Sequence, residues 1–520
     1  MSMRTALFYA AWLLQACASH TPQTEPAAKG GEPAQTQPPP APADVRVATA
    51  PEVTERAAVT AAAGSGASSP SSPSQEPAQV TLAAPAPTVA KPETPAAYGG
   101  KGFVVHEWGT NTVVVGSDGV ALRGLHHEGD DLPAFVFDRL KQGDVLGFPT
   151  VDKMETPVDY FYSDVPRSVS VRIDMPNGVL TQWYPAVASF LPPILNATHG
   201  PELYVDPLND IHYVYGTDAC QTKYSQPPSA GVLDWGKVEI LARDPAVTLP
   251  EAPLDRYTWS YAREVAANPV RVYNPMGRNA KGATLNDPQT ERYLFYPGLG
   301  RFQPPLRVTS EASTSGEETV RAQGSEPSAG PVWLLRVDAS TGAFVRVDPV
   351  ANQSALEIPL SKLSRARSLD SFVTDLAEEL TAALRGTGLY QDEALAMINT
   401  WRKQWFLTPG VRLLYFAPTS WLERELPLTI SPAPDLTTRV MVMRVELLTH
   451  AVEVADMDAV LQLGSPANLA AGRAYYAALG RFAEPRLRRA RSLLGGRAPV
   501  ESETLLRELE GPNVLSTLAE

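Results

Sequence analysis

The chain has 520 residues, a formal net charge of −13, and 49 prolines, of which 15 fall between residues 18 and 98. This composition argues against a collagen, a coiled coil or a wholly disordered chain. The acidic excess argues against nucleic-acid binding, which needs a basic face. We therefore expect a folded part that starts at Gly99 and is long enough, at about 420 residues, to bury a large core.

Residues 1–16 have the pattern of an export signal. Arg4 precedes an apolar run that ends at Leu14, and this run is shorter than the roughly 20 residues that a membrane-spanning helix needs. The segment Leu14-Gln15-Ala16-Cys17 resembles the lipobox of bacterial lipoproteins. The resemblance implies cleavage before Cys17 and acylation of its thiol, with palmitate as a typical chain. Two or three such chains would hold the protein stably at a membrane.

The cysteines bear on the compartment. Besides Cys17 the sequence has one cysteine, Cys220, so a lipidated Cys17 leaves no internal disulfide. The alternative is an ordinary secretory signal, cut after Ala16 or Ala18, with Cys17 incidental. Ala18 resembles the pattern of lipoproteins that are forwarded to an outer membrane. We expect a lipid-anchored protein of the cell envelope, at the outer rather than the inner membrane, without a transmembrane helix.

Residues 17–98 are predicted to form a disordered linker after the lipidated cysteine. The segment is rich in Pro, Ala and Ser, and Tyr98 is its only Phe, Trp or Tyr residue. Such a chain cannot bury enough apolar surface to offset the entropy lost on ordering. We interpret it as a spacer between lipid and fold; the alternative is a disordered segment with no length requirement.

Residues 99–365 are predicted to form a β-rich domain. Apolar and polar residues alternate over 168–174, and Asn177-Gly178 separates this run from the apolar run 179–184, which predicts a β-hairpin. Residues 309–330, rich in Ser, Gly and Glu, are predicted to be a mobile loop. The pattern favours an antiparallel β-sandwich or a barrel-like fold.

Residues 366–520 are predicted to form a helix-rich α/β domain packed on the first, which makes the whole chain α+β. A helix is expected from Asp370 to Gly386. Its apolar face comprises Phe372, Val373, Leu376, Leu380 and Leu384. Further helices are expected at 391–406, 452–463, 467–479, 484–494 and 502–510, and strands at 411–416 and 438–446.

Two segments resemble those of a known family. His106-Glu-Trp-Gly-Thr110 and Met154-Glu-Thr-Pro-Val158 are similar to motifs of a family of exported bacterial proteins of unknown function. The resemblance would extend over most of residues 102–485. It implies one continuous fold, and it brings no activity, because none is established for the family.

The candidate catalytic residues are His106, Glu107 and Glu155. Neighbours in a strand point to opposite faces, so His106 or Glu107, and not both, would contribute to one site. A carboxyl group such as Glu155 with a raised pKa could serve hydrolysis beside an ionised carboxylate. The alternative for His106 is a buried anchor that organises the sheet through a hydrogen bond.

The candidate metal ligands are His126, His127 and Asp130, in a stretch that also holds Glu128 and Asp131. Imidazole and carboxylate bind Zn²⁺ and similar cations. The stretch lacks the helical spacing of metalloproteases, so a polar loop is the alternative.

Two further groups of residues could form a surface. Trp183, Tyr184, Trp259, Tyr261 and Tyr273 could line a sugar or peptide groove or belong to the core. Arg481, Arg486, Arg488, Arg489, Arg491 and Arg497 could contact anionic lipid or pack against the acidic body.

Two functions remain open. The first is a lipid-anchored envelope or surface protein whose folded part is a binding or structural module, with an envelope polymer or a protein as partner. The alternative is a secreted hydrolase that uses carboxylates and His106 on an envelope or extracellular polymer. The sequence names neither a cofactor nor a ligand, and it leaves open whether the protein is an enzyme.

Overall fold

The structure is a computed structural model. It describes residues 97–125, 132–139, 150–191, 202–205, 211–217, 220–224, 230–244, 246–252, 259–273, 288–324, 330–347, 355–363, 365–464 and 466–510. For residues 202–205, 211–217 and 220–224, including Cys220, the backbone alone is described. The predicted signal, Cys17, the linker up to residue 96, and the metal candidates His126, His127 and Asp130 lie outside these ranges.

Twenty-four strands occur in the described residues. They are β1 (Phe103–Val115), β2 (Phe137–Asp138), β3 (Asp152–Ser163), β4 (Arg167–Met175), β5 (Gly178–Leu180), β6 (Gln182–Trp183), β7 (Ser189–Leu191), β8 (Glu202–Val205), β9 (Ile211–Thr217), β10 (Cys220–Tyr224), β11 (Gly231–Ile240), β12 (Val270–Val272), β13 (Gln289–Glu291), β14 (Tyr293–Phe295), β15 (Gly298–Gly300), β16 (Leu306–Ala312), β17 (Glu318–Gly324), β18 (Val332–Val337), β19 (Thr341–Val347), β20 (Ala355–Pro359), β21 (Arg367–Ser368), β22 (Gly410–Phe416), β23 (Leu428–Ser431) and β24 (Leu436–Leu447).

Eight α-helices occur in the same residues. They are α1 (Trp259–Arg263), α2 (Leu369–Gly386), α3 (Gln391–Arg402), α4 (Thr419–Glu425), α5 (His450–Gln462), α6 (Pro466–Ala478), α7 (Ala483–Leu494) and α8 (Val500–Glu510). A π-helical turn, Lys403–Leu407, extends α3, and a 3₁₀ turn, Gly480–Phe482, joins α6 to α7. Among these helices, none has the length and apolar character that a membrane crossing requires.

The largest sheet has ten strands, in the order β21-β19-β18-β22-β24-β1-β3-β15-β5, with β14 beside β3. Strand β1 lies near its middle, parallel to β24 and antiparallel to β3. All 13 residues of β1 are buried, because other layers cover both faces of the sheet.

A six-stranded sheet packs on one face of the main sheet. Its order is β13-β12-β11-β4-β23, with β7 beside β11. Val171 and Ile173 of β4 share one hydrophobic core with Val105 and Phe161 of the main sheet. Neither sheet closes on itself within the described residues, so the fold is a sandwich rather than a barrel. The predicted α+β class is confirmed.

Helices α2 and α3 cover the other face of the main sheet. The five apolar residues predicted to form one face of α2 are all buried. They pack with Val104, Trp108 and Tyr160 of the sheet in a second hydrophobic core. The sheet is therefore the middle layer of three.

Helices α5 to α8 end the described chain and enclose a smaller core that includes Val460, Leu487, Leu494 and Leu505. Each of the four begins and ends within two residues of its predicted bounds. The helical part of the prediction is thus confirmed in detail.

The hairpin predicted around Asn177-Gly178 is wrong. Strand β4 pairs with β11 and β23 in the six-stranded sheet, whereas β5 pairs with β15 in the main sheet. Gly178 does not have the positive φ that a type I′ hairpin turn requires. A Cβ atom there would lie 2.6 Å from the Leu299 carbonyl oxygen, so close packing between strands explains the glycine.

The loop predicted at 309–330 is also wrong over residues 309–324. Strands β16 and β17 form a hairpin, and β17 pairs further with β20. Val308, Val320 and Ala322 are buried, because apolar residues alternate with the Ser, Thr and Glu residues that suggested a loop. Residues 325–329 lie outside the described ranges.

The main sheet crosses the domain boundary predicted between residues 365 and 366. Strands β22 and β24, from the second predicted domain, lie between β18 and β1 of the first. Residues 92–520 form one compact unit. The two predicted domains therefore share one sheet.

Candidate functional site

The two sequence motifs pair with each other in neighbouring strands. Trp108 lies opposite Val158 and Thr110 lies opposite Glu155, so β3 has one extra residue between these pairs. Thr156, in this bulge, has a φ of 45°. A Cβ atom on Gly109 would lie 3.0 Å from the Pro157 Cα atom. The motifs therefore build one bulged strand pair at the centre of the sheet.

His106 points from this pair toward the helices. Its Nδ1 atom lies 2.8 Å from Oε2 of Glu393 on α3, and neither side chain is more than 1% exposed. The same Glu393 oxygen accepts a hydrogen bond from the Tyr390 amide at 2.7 Å, which caps α3. The rings of Tyr162 and Tyr390 lie 5.3 and 4.5 Å from the imidazole. His106 thus joins the sheet to the helical layer.

Glu107 points to the opposite face, toward the six-stranded sheet. It accepts hydrogen bonds from the Tyr296 hydroxyl and from Arg439 Nε. The Tyr296 oxygen also lies 2.9 Å from Asp159 Oδ1. Burial, together with the charge of Glu107, raises the pKa of Asp159 well above its usual value. A tyrosine has one hydroxyl hydrogen, so a protonated Asp159 donates to Tyr296 while Tyr296 donates to Glu107.

This cluster places a carboxyl group with a strongly raised pKa, that of Asp159, beside a second carboxyl group, and general acid–base catalysis uses such pairs. However, Glu107, Asp159 and Tyr296 are all 0% exposed. A substrate cannot reach them in this conformation. Here the pairing can hold the two sheets together.

Glu155 lies on the helix-facing side of the main sheet. It accepts a hydrogen bond from Thr112 Oγ1 at 2.7 Å and another from Arg481. Burial opposes its ionisation, but the charges of Arg481 and Lys153 outweigh burial and lower the pKa of the carboxyl group. A lowered pKa is the opposite of what a general acid needs.

Three more charged residues follow Glu155 across this face of the sheet: Arg412, Arg444 and Glu446. Nε of Arg412 and Nε of Arg444 both donate to Glu446 Oε1, at 2.7 and 2.6 Å. Arg412 also donates to the carbonyl oxygens of Trp405 and Thr408, at 2.6 and 2.5 Å. It therefore binds the carbonyl end of the π-helical turn, where a cation is favoured.

A polar cleft of about 530 Å³ opens beside the β16–β17 hairpin. It is lined by Ser117, Asp118, Arg307, Thr309, Ser310, Glu311, Arg321 and Gln323. The Ser310 side-chain oxygen is buried and has no hydrogen-bond partner among the described residues. The cleft offers two guanidinium groups, two carboxylates and several hydroxyl and amide groups to a polar ligand.

The remaining candidates are dispersed. Trp183, Tyr184 and Trp259 are buried, whereas Tyr261 and Tyr273 are exposed. Five of the six arginines of the C-terminal basic segment, all except Arg497, form ion pairs within the described residues: Arg481 with Glu155, Arg486 with Asp456, Arg488 with Glu484, Arg489 with Glu453 and Arg491 with Glu503. They pack against acidic residues, as one of the two interpretations predicts.

Among the described residues, no group of three or more His, Cys, Asp or Glu side chains could hold a metal ion.

Sequence reasoning missed the partners of all three candidates. Glu393 lies 287 positions from His106, and Arg439 lies 332 positions from Glu107. One sequence feature could have indicated the buried charged residues: Arg412 and Arg444 lie within mostly apolar runs of their strands. A charged residue in a strand that is buried on both faces needs a partner.

Comparisons with known proteins add little to this geometry. No family model and no curated protein matches the chain. Among solved structures, it is similar to the yeast delta-COP-I mu-homology domain complexed with a Dsl1 WxWxV peptide, at 7% sequence identity and a TM-score of 0.22. That alignment covers 66% of this chain and 96% of the other. A TM-score this low carries no argument, and the resemblance to the exported family stays a prediction.

Proposed function

We propose that the protein is a lipid-anchored protein of the cell envelope, at the outer membrane, whose folded part is a binding or structural module. The lipobox-like segment Leu14–Cys17 and the proline-rich linker that follows it support the anchor. The linker would hold the folded part away from the bilayer. The partner would be an envelope polymer or another protein.

One observation carries the choice of a module over an enzyme. His106, Glu107 and Glu155 are all buried, and each is bound to a partner from a different part of the chain. Buried hydrogen bonds and ion pairs of this kind connect layers, and breaking one is costly. Their geometry therefore favours a role in holding the fold together.

The polar cleft is where such a module would bind its partner. Arg307, Arg321 and the unpartnered Ser310 hydroxyl offer donors, and Asp118 and Glu311 offer acceptors. We expect an Arg321→Ala variant to lose binding in a ligand screen with envelope polysaccharides and peptides, whereas Arg336→Ala, an exposed arginine on β18, keeps it. If both variants bind as the unchanged protein does, the cleft is not the site.

The anchor is tested in a bacterial host. We expect Cys17→Ser to abolish incorporation of labelled palmitate and to release the protein from membranes, whereas Cys220→Ser, the other cysteine, leaves both unchanged. A Cys17→Ser protein that stays membrane-bound would contradict the proposal.

The hydrolase alternative is favoured by one feature, the raised pKa of Asp159 beside the Glu107 carboxyl group. It predicts that residues 99–520 degrade an envelope polymer and that His106→Ala or Glu155→Gln abolishes this without unfolding the protein. We expect no turnover, and we expect both variants to unfold at lower urea concentration. Turnover that is lost in a fully folded variant would replace the module with an enzyme.

A further inference from the structure

The guanidinium group of Arg444 is incompletely satisfied. The side chain is 0% exposed, and its Nε donates to Glu446. Its Nη1 and Nη2 atoms are buried and have no hydrogen-bond partner among the described residues. Buried donors are normally paired, and an unpaired charged donor is costly. This fork of two donors therefore points to a missing acceptor.

The surrounding charges do not balance. The charges that act on Arg444 are those of two arginines, Arg412 and Arg481, and of two carboxylates, Glu446 and Glu155. Lys153, whose charge acts on Glu155, is a fourth basic group beside them, so four basic groups face two acidic ones. Burial, with the charges of Arg481 and Arg412, lowers the pKa of Arg444 to about 10 against the opposing charges of Glu446 and Glu155. A bound anion would reduce the imbalance.

The surroundings also define where the missing group would lie. The floor is the main sheet, where Arg444 lies opposite Thr112 of β1. The cover is the 3₁₀ turn before α7, where the Phe482 ring lies 5.3 Å from Arg444 Cζ and 5.2 Å from Arg481 Cζ. Phe482 and Arg481 are partly exposed, so this turn is the side from which a small molecule can enter.

We propose that Arg444 binds a small carboxylate anion between the main sheet and the turn Gly480–Phe482. The two terminal nitrogens of a guanidinium group match the two oxygens of a carboxylate. The carboxylate could belong to a free organic acid or to the C-terminus of a peptide. None of the residues of this site lines the polar cleft.

The test uses the full chain in a non-ionic detergent, with thermal unfolding followed by tryptophan fluorescence. Sodium acetate should raise Tm by about 2 °C or more beyond the effect of sodium chloride at equal ionic strength, because a ligand of the folded state stabilises it. The Arg444→Met variant should lose this gain. Arg473→Met, which removes an exposed arginine paired with Glu508, should keep it.

Two outcomes overturn the proposal: an equal acetate response in Arg444→Met and Arg473→Met, or an equal response to acetate and chloride in the unchanged chain. A short peptide with a free C-terminus, compared with its amidated form, distinguishes a peptide source from a free acid. If Arg444→Met does not fold, crystals of the unchanged chain grown with bromoacetate decide. Anomalous density beside the Arg444 Nη atoms supports the site, and its absence there rejects it.

Discussion

Asp152 is a carboxyl group enclosed by the sandwich. It is 0% exposed, and one oxygen accepts a hydrogen bond from Asn111 Nδ2 at 3.2 Å. Burial raises the pKa of Asp152 to about 8, against the weaker opposing effect of that hydrogen bond. The fold therefore keeps this group protonated at neutral pH.

Stability should depend on pH through Asp152. The unfolded chain releases this proton near pH 4, whereas the folded state holds it up to about pH 8. Between these values the folded state binds more protons, so the free energy of unfolding falls as pH rises. Asp152→Asn should therefore be more stable than the unchanged protein at pH 8, by about 1–3 kcal/mol, with the difference shrinking toward pH 4. Urea unfolding at a series of pH values measures this.

Asp338→Asn is the matched control, because Asp338 is exposed. It should show no pH-dependent gain. An Asp152→Asn variant whose stability follows the same pH curve as the unchanged protein would show that Asp152 is ionised in the fold.

For individual residues, the sequence could predict the face of the sheet to which a side chain points, but not the residues that it contacts. The alternation of a strand placed His106 and Glu107 on opposite faces, and the structure has them so. Their partners lie on α3 and β24, far along the chain, and no local pattern links them. The raised pKa of Asp159 depends on its burial beside Glu107, which required the folded arrangement.

Among the elements, the β1–β3 pair is the most constrained. Gly109 faces the bulge of β3, and added side-chain atoms would contact the Pro157 backbone, which cannot move aside within a sheet. We expect Gly109→Ala to reduce the free energy of unfolding by about 2 kcal/mol. Chemical denaturation of the purified protein checks the value.

Gly99→Ala provides the comparison, since a Cβ atom there has no other atom within 4 Å. It should leave stability unchanged within about 0.5 kcal/mol. Equal stability of the two variants would mean that β3 shifts to accept the extra methyl group.

Elements were predicted well where the signal is local, and poorly where it is not. The apolar face of α2 is read from spacing alone, and Gly386 ends the helix. The Asn177-Gly178 turn gave a strong local signal too, but which sheet each flanking strand joins depends on β11 and β15, many residues away. Strands β16 and β17 were missed because their exposed face is rich in Ser and Glu, which masks the alternation of Val308, Val320 and Ala322.

Across the whole molecule, one sheet unites the β-rich and helix-rich halves. Removing residues 366–520 deletes β22 and β24 and leaves β18 without its neighbour toward β1. We expect a fragment of residues 92–365 to lack a cooperative unfolding transition, whereas residues 92–520, one compact unit, unfold cooperatively. Circular dichroism and limited proteolysis compare the two fragments. Independent folding of the shorter fragment would support the predicted division into two domains.

The parallel pairing of β1 with β24 affects the order in which the fold can assemble. The chain is synthesised from its N-terminus, so β1 and β3 can pair early. Val104 can pair with Leu436 only after 332 further residues have been synthesised. Until then one edge of a 13-residue strand stays open to other chains, and such edges promote aggregation. The final sheet therefore closes late, and the growing chain needs protection, by a chaperone or by being held unfolded, until its last strand is made.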